Sequence, residues 1–253
     1  MICNFIAYLS LRNYAYSTIN TYVSSVGFMH RVGGVVDPTN SFIVGLMLDG
    51  VRRDRGGSRD LRLPITYEHL RKIITVLPSI CNSQFEALLF KAVFSCMFFG
   101  FLRIGEVAAE SKVKVNDAVL KRSDIVFQED KGNGAMVFNF RISKNNQFGE
   151  HHQSVVISSQ TDKVVCPVLA LRDYFRQASG DTVMLFTHFD LTPLTKYQLN
   201  HVLKSAVLFC DFPNPNLYQS HSFRIGAATS AKKRGVSDEE IQAMGRWRSG
   251  AFR

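Results

Sequence analysis

The sequence predicts a mainly α fold in two parts: a small helical bundle, then a larger α+β domain holding a short antiparallel β-meander. Three observations lead there. The amino-terminal region carries only helical periodicity, the run ALLFKAVFSCMFFGFL is apolar enough to be a buried helix, and three short β-rich segments succeed one another across Gly- and Asn-rich turns.

In chain order, Ile2, Phe5, Ile6 and Leu9 share one helical face. Ser17 is placed to cap a second helix carrying Ile19, Tyr22, Val23 and Val26, which ends near Gly33-Gly34. After Asp37-Pro38, the residues Phe42, Ile43, Leu46 and Met47 mark a third. The stretch VRRDRGGSRDLRLP is basic, poor in apolar residues and centred on Gly-Gly-Ser, the composition of a flexible connection. It divides the chain into a bundle over 1–57, a linker over 58–63 and a second domain over 64–253. That domain opens with Thr66 capping a helix through Leu77, followed by a long buried helix from about Ser83 to Gly100. The segments DIVFQ, AMVFNFRIS and QSVVIS, separated by KGNG and KNNQFGEH, read as the meander. Pro167 starts a further helix, Thr192-Pro193 the next through Phe209, and His221 to Arg234 another that Gly235 stops. Ser237 and Glu240 have capping-box spacing for a last short helix ended by Gly245.

Composition narrows the function. Of 253 residues 46% are hydrophobic, 20 of them Phe, so a large core is available and global disorder is excluded. The net charge of +9, with a pI near 9.4, favours a polyanionic partner, nucleic acid first and an acidic membrane surface second. Five scattered cysteines with no C-x-x-C pair read as reduced thiols of an intracellular protein, not a disulfide frame or zinc site. The most apolar run carries Lys91 and is short for a bilayer span, and the amino end lacks the basic start and small-residue cleavage site of a secretory leader. An apolar helical pattern begins at Met1 itself, as if the amino end were clipped.

Four places carry chemistry. In FLRIGEV, Arg103 follows the long apolar helix and Glu106 lies one turn later, either as a helix-end ion pair or as a supported cation. Lys144 stands at the tip of the second hairpin. In HSFRIGAATSAKKRG, His221 and Arg224 are one turn apart at a helix start, where anions are attracted. In GRWRS, Trp247 offers an indole N–H between Arg246 and Arg248. Two guanidinium forks suit the non-bridging oxygens of a phosphodiester, an ammonium can protonate a departing oxygen, and an imidazole can carry the proton of the attacking group. No clustered carboxylates call for a two-metal nuclease, and no GxxxxGK[ST] calls for ATP, so no metal and no cofactor is expected. The basic residues Arg52, Arg53, Arg55, Arg59 and Arg62 around the linker, with Lys232, Lys233, Arg246 and Arg248, are the expected contacts to the DNA backbone.

The string Arg103-Ile104-Gly105-Glu106, then Lys144 on a hairpin, then His221-Ser222-Phe223-Arg224, then Gly245-Arg246-Trp247, resembles the tyrosine recombinase (phage integrase) family across almost the whole chain. The amino-terminal bundle is similar to that family's SAM-like core-binding domain, and 64–253 to its catalytic domain. The wording GRWRSGAFR is most similar to eukaryotic mobile-element recombinases of the Crypton or tyrosine-recombinase retrotransposon kind. The resemblance implies that Arg103 and Arg224 hold the scissile phosphate and that Lys144 reaches the minor groove and protonates the leaving 5′-oxygen. It implies that His221 assists proton transfer, Trp247 donates to or packs behind the phosphate, and Glu106 supports the site. It also implies a tyrosine nucleophile, a 3′-phosphotyrosyl intermediate and a tetramer on two duplexes. That tyrosine is expected past Arg253, so this chain is expected to bind double-stranded DNA without cleaving it and to be monomeric in solution. A recombinase-derived protein that binds DNA without catalysis shares every one of these residues, and a type IB topoisomerase uses a similar set. The cellular address expected is intracellular, and nuclear in a eukaryote.

Overall fold

The computed structural model describes residues 1–55, 60–130, 133–141, 153–178, 180 and 182–247. The chain divides into two compact units, Met1–Leu61 and Arg62–Arg253.

In the first unit, α1 (Ile2–Leu11), α2 (Tyr16–Val32) and α3 (Phe42–Asp54) enclose a small core of Ile6, Leu9, Ile19, Val23, Val44 and Val51. Two sequence expectations change here. The N-cap of α2 is Ala15, so Ser17 lies inside the first turn. On α3 the buried residues are Val44 and Val51, whereas Phe42, Ile43 and Leu46 are exposed. The helix carries two apolar stripes, and periodicity alone does not say which one faces inward. Arg52 and Arg53 belong to the last turn of α3, and the Arg52 guanidinium lies 5.9 Å from the Tyr16 ring. Arg55 donates to Asn13 Oδ1 (3.0 Å) and to the Ser10 carbonyl, tying the end of α3 to the α1–α2 corner.

The second unit is built around α5 (Gln84–Phe99), whose near-continuous apolar sequence is buried on every side, as the sequence predicts. Ser83 accepts from Glu86 N–H at its start, and Thr66 accepts from His69 N–H at the start of α4 (Tyr67–Ile80). The short α6 (Ile104–Val107) follows α5. Then β1 (Ile125–Asp130), β2 (Asn133–Phe140) and β3 (Gln153–Ser158) form an antiparallel sheet in the order β1-β2-β3, with Phe138 opposite Ile125 on one side and Val155 on the other. Met136, Phe138, Phe140 and Ile157 face the core while Val126 and Val156 face solvent.

Next come α7 (Pro167–Gln177), α8 (Lys196–Phe209), α9 (Ser222–Lys233) and α10 (Asp238–Gly245). Helix α8 starts at the Thr195/Gln198 capping box, a turn later than Thr192-Pro193 suggested. The Ser237/Glu240 capping box opens α10 as expected. Helix α9 lies against α5, with Phe223 stacked on Phe94 at 5.1 Å. Among the described residues no helix is long and apolar enough to cross a membrane.

Candidate active site

The candidate site forms where α5, α6, α9 and α10 end or begin near one another, and two unusual backbone positions shape it. Phe101, just past α5, and Arg246, just past α10, both take left-handed φ values, 49° and 53°. Such a conformation costs a non-glycine residue about 1–2 kcal/mol. In both places the sequence pointed to the preceding glycine as the helix stop, and the left-handed turn falls one residue later. At Phe101 it accompanies a carbonyl oxygen that accepts from two arginines, Arg224 through Nη1 and Arg246 through Nη2 (3.2 Å).

Arg103 is the N-cap of α6 and holds Glu106 twice: its backbone N–H donates to Oε2 (2.7 Å) and Nη1 to Oε1 (3.0 Å). Its Nη2 donates to the Arg246 carbonyl (3.3 Å), joining residues 143 positions apart. Glu106, 3% exposed, also accepts a fork from Arg246, Nη1 to Oε1 at 3.1 Å and Nη2 to Oε2 at 3.0 Å. Arg224 projects from the first turn of α9 and is 1% exposed. Its Nη2 donates to the Gly245 carbonyl (2.7 Å) and its guanidinium carbon sits 4.5 Å from the centre of the Trp247 ring. Its Nε is buried with no hydrogen-bond partner among the described residues. Three guanidinium groups thus gather near one carboxylate, which Arg103 and Arg246 bond and Arg224 does not, a local excess of positive charge. Burial, then the like charges of Arg103 and Arg246, push the Arg224 pKa down to about 9, with Glu106 acting in the opposite sense.

His221 is the N-cap of α9, one turn before Arg224, and its carbonyl accepts from Arg224 N–H (3.0 Å). Trp247 packs edge-on to Phe101 at 5.8 Å, and its ring occupies the space beside Gly245. A Cβ on Gly245 would lie 1.6 Å from Trp247 Cζ3, so no side chain fits there while the ring stays. Gly245→Ala is therefore expected to displace the ring, uncover Arg224 and shift the emission of the chain's single tryptophan to the red. An unchanged emission spectrum would contradict that. A cavity of about 530 Å³ opens beside Arg246 and Trp247, bounded by Gln153 and Ser154 of β3 and by Glu239 and Gln242 of α10.

The structure therefore brings together Arg103, Glu106, Arg224 and Trp247, with His221 one helical turn away. Lys144, Arg59 and Arg248 lie outside the described residues. Of the expected backbone contacts, Arg53 and Lys233 are exposed, and Lys232 is exposed and pairs with Asp238 (3.2 Å). Arg62 opens the second unit. Arg246 departs from its expected place at a DNA surface: it is 8% exposed, with its fork on Glu106 and its guanidinium carbon 3.8 Å from the Phe140 ring centre. Its partner is 140 positions away, which no local pattern reveals. The Phe101 carbonyl, a backbone group, gave no side-chain signal at all.

No family model matches the chain, and no curated protein is similar to it in sequence. Solved structures are similar in fold. The XerH site-specific recombinase bound to difH substrate aligns over 95% of this chain at 15% identity with a TM-score of 0.55. This chain spans 65% of that one's length. The Tn1549 transposon integrase in complex with circular intermediate DNA aligns over 98% of this chain and 76% of its own at 13% identity, TM-score 0.55. Lambda integrase bound to DNA aligns over 99% and 77% at 13% identity, TM-score 0.57. The fold, mostly helical with one three-stranded antiparallel sheet, is that of the tyrosine recombinase catalytic domain.

Proposed function

We propose that the chain is the DNA-binding and phosphodiester-holding part of a site-specific tyrosine recombinase, most similar to mobile-element enzymes of the Crypton or retrotransposon kind. The observation that carries this is the meeting of Arg103 and Arg224, remote in sequence, in a cluster with more cations than anions. A phosphodiester is the anion such a cluster suits: Arg103, 20% exposed, meets it first, and Arg224 follows when Trp247 moves aside. His221, at the start of the same helix, is assigned the proton of the attacking group and Lys144 that of the leaving 5′-oxygen. The bundle of 1–57 is assigned to core DNA binding, and the active form to a tetramer on DNA inside the cell, in the nucleus of a eukaryote.

Four of the eight tyrosines are engaged by other groups. Tyr174 donates to the Thr187 carbonyl, Tyr67 to Asp162, Tyr197 stacks on His201, and Tyr218 packs on Phe212. Tyr8, Tyr14, Tyr16 and Tyr22 belong to the first unit. None of them is assigned the nucleophile.

The test is duplex DNA binding across a salt series. A log–log slope of about −0.9 for each phosphate neutralised is expected, together with no covalent adduct on a nicked suicide duplex. A flat salt response would remove nucleic acid as the partner. An adduct from Met1–Arg253 would make one of these tyrosines the nucleophile.

A further inference from the structure

The third guanidinium of the cluster has no part in the reaction assigned above, and its burial is costly. Burial holds the Arg246 pKa below the usual arginine value, with Glu106 acting in the opposite sense. A neutral side chain would fill the same space at less cost. Yet Arg246 is a node for both other arginines. It shares Glu106 Oε1 with Arg103 and the Phe101 carbonyl with Arg224. Its own carbonyl receives Arg103 Nη2, and the carbonyl just before it, on Gly245, receives Arg224 Nη2. The left-handed backbone at 246 makes this double use compatible with one residue: the side chain reaches Glu106 while the carbonyl meets Arg103. The flat guanidinium also rests on Phe140, so the end of β2 braces it from below.

From this geometry we infer that Arg246 is a positioning residue for phosphodiester binding, setting Arg103 and Arg224 through their shared acceptors, Glu106 and the Phe101 carbonyl. The inference rests on the recombinase reading for the identity of the anion. By taking both oxygens of Glu106 in a fork, Arg246 fixes the plane of the carboxylate. Arg103 then contacts that carboxylate through a single side-chain nitrogen, Nη1, and its Nη2 is set by the Arg246 carbonyl. A lysine cannot replace it, because one ammonium does not span two carboxylate oxygens and a carbonyl in a fixed plane.

The experiment compares wild type, Arg246→Lys and Arg246→Met, all at a temperature where circular dichroism shows each folded. Two quantities are read: resting emission of Trp247 and affinity for duplex DNA at fixed salt. Both variants are expected to shift the resting emission and to bind DNA about tenfold more weakly, the loss of one charge-assisted hydrogen bond, with lysine giving no rescue. A purely structural role would lower the melting temperature and leave affinity and emission of the folded protein unchanged, and that result overturns the inference. Rescue by lysine overturns it too, since charge alone would then suffice. If neither variant folds, Glu106→Gln breaks the fork from the other side, and wild-type affinity in that protein overturns the inference equally. If wild type itself does not bind DNA, the recombinase reading fails, and the resting emission still decides whether Arg246 sets its neighbours.

Discussion

Arg224→Met is expected to leave the fold standing while removing the proposed phosphodiester site. The wild-type side chain is a cation almost wholly withdrawn from water, beside two other cations and one carboxylate. Such a group is a net burden on the folded state. Methionine is of similar length and neutral, so it relieves the burial and the repulsion. It also leaves the Gly245 carbonyl without its donor and the Phe101 carbonyl with Arg246 alone. These effects oppose each other, and the net change in stability is expected to stay within about 2 kcal/mol. Function is expected to fall much further. In a protein that cleaves DNA, loss of a donor aimed at the transition-state charge lowers the rate by about 10²–10³. The DNA-dependent rise in melting temperature, which comes from binding to the folded state alone, is expected to shrink with it.

The same residue makes a pH prediction with a definite sign. Its folded pKa, about 9, lies below the usual arginine value. The penalty is therefore fully present below pH 9 and falls away as the pH rises above it towards the usual arginine range. Wild type should gain stability relative to Arg224→Met across that interval, while the difference between them is flat near neutrality. Paired denaturant titrations at pH 7 and pH 10 measure this. A methionine variant that keeps full DNA-linked stabilisation, or a difference that does not move with pH, would show that Arg224 is only a packing element.

Much of this architecture was legible because local signals sufficed. Thr66 and Ser237 announce their helices through side-chain caps, and both caps are present. The apolar run of α5 can be satisfied only by burial, and the alternation in β2 and β3 only by a one-sided sheet. The proximity of Arg103 to Glu106 was legible for the same reason: three residues separate them. What stayed hidden depends on groups far apart or on the backbone. The choice between the two apolar stripes of α3 depends on which one meets α1 and α2, a tertiary matter. Arg246 looked like a surface cation because Arg248 stands two residues on, while its actual partner arrives from α6. The left-handed turn at Phe101 leaves no mark in composition, and it supplies the carbonyl on which two arginines converge.

Gly226→Ala tests whether the close approach seen at α9 is a requirement. A Cβ there would lie 1.7 Å from the Ile65 carbonyl oxygen, 2.4 Å from its carbon and 3.0 Å from its nitrogen. These are backbone atoms of a fully buried residue, so no rotamer change relieves the overlap. The two segments are also tied together, since Ile65 N–H donates to the Ser222 carbonyl at 3.0 Å, and Phe223 is held on Phe94. Helix α9 must therefore move as a body or the 63–65 segment must detach. Overpacking usually costs about 1–3 kcal/mol, and a backbone collision of this depth belongs at or above that upper limit. At about 2–4 °C per kcal/mol, the melting temperature should fall by roughly 10 °C. Because Arg224 lies two residues earlier on the same helix, any surviving protein should also lose DNA affinity and show altered Trp247 emission. Gly105→Ala is the control: this glycine, beside Arg103, faces open space, and its substitution should leave the melting temperature nearly unchanged. If Gly226→Ala melts with wild type, α9 has room to shift, and the placement of Arg224 against the Phe101 and Gly245 carbonyls is not fixed by the packing of its helix.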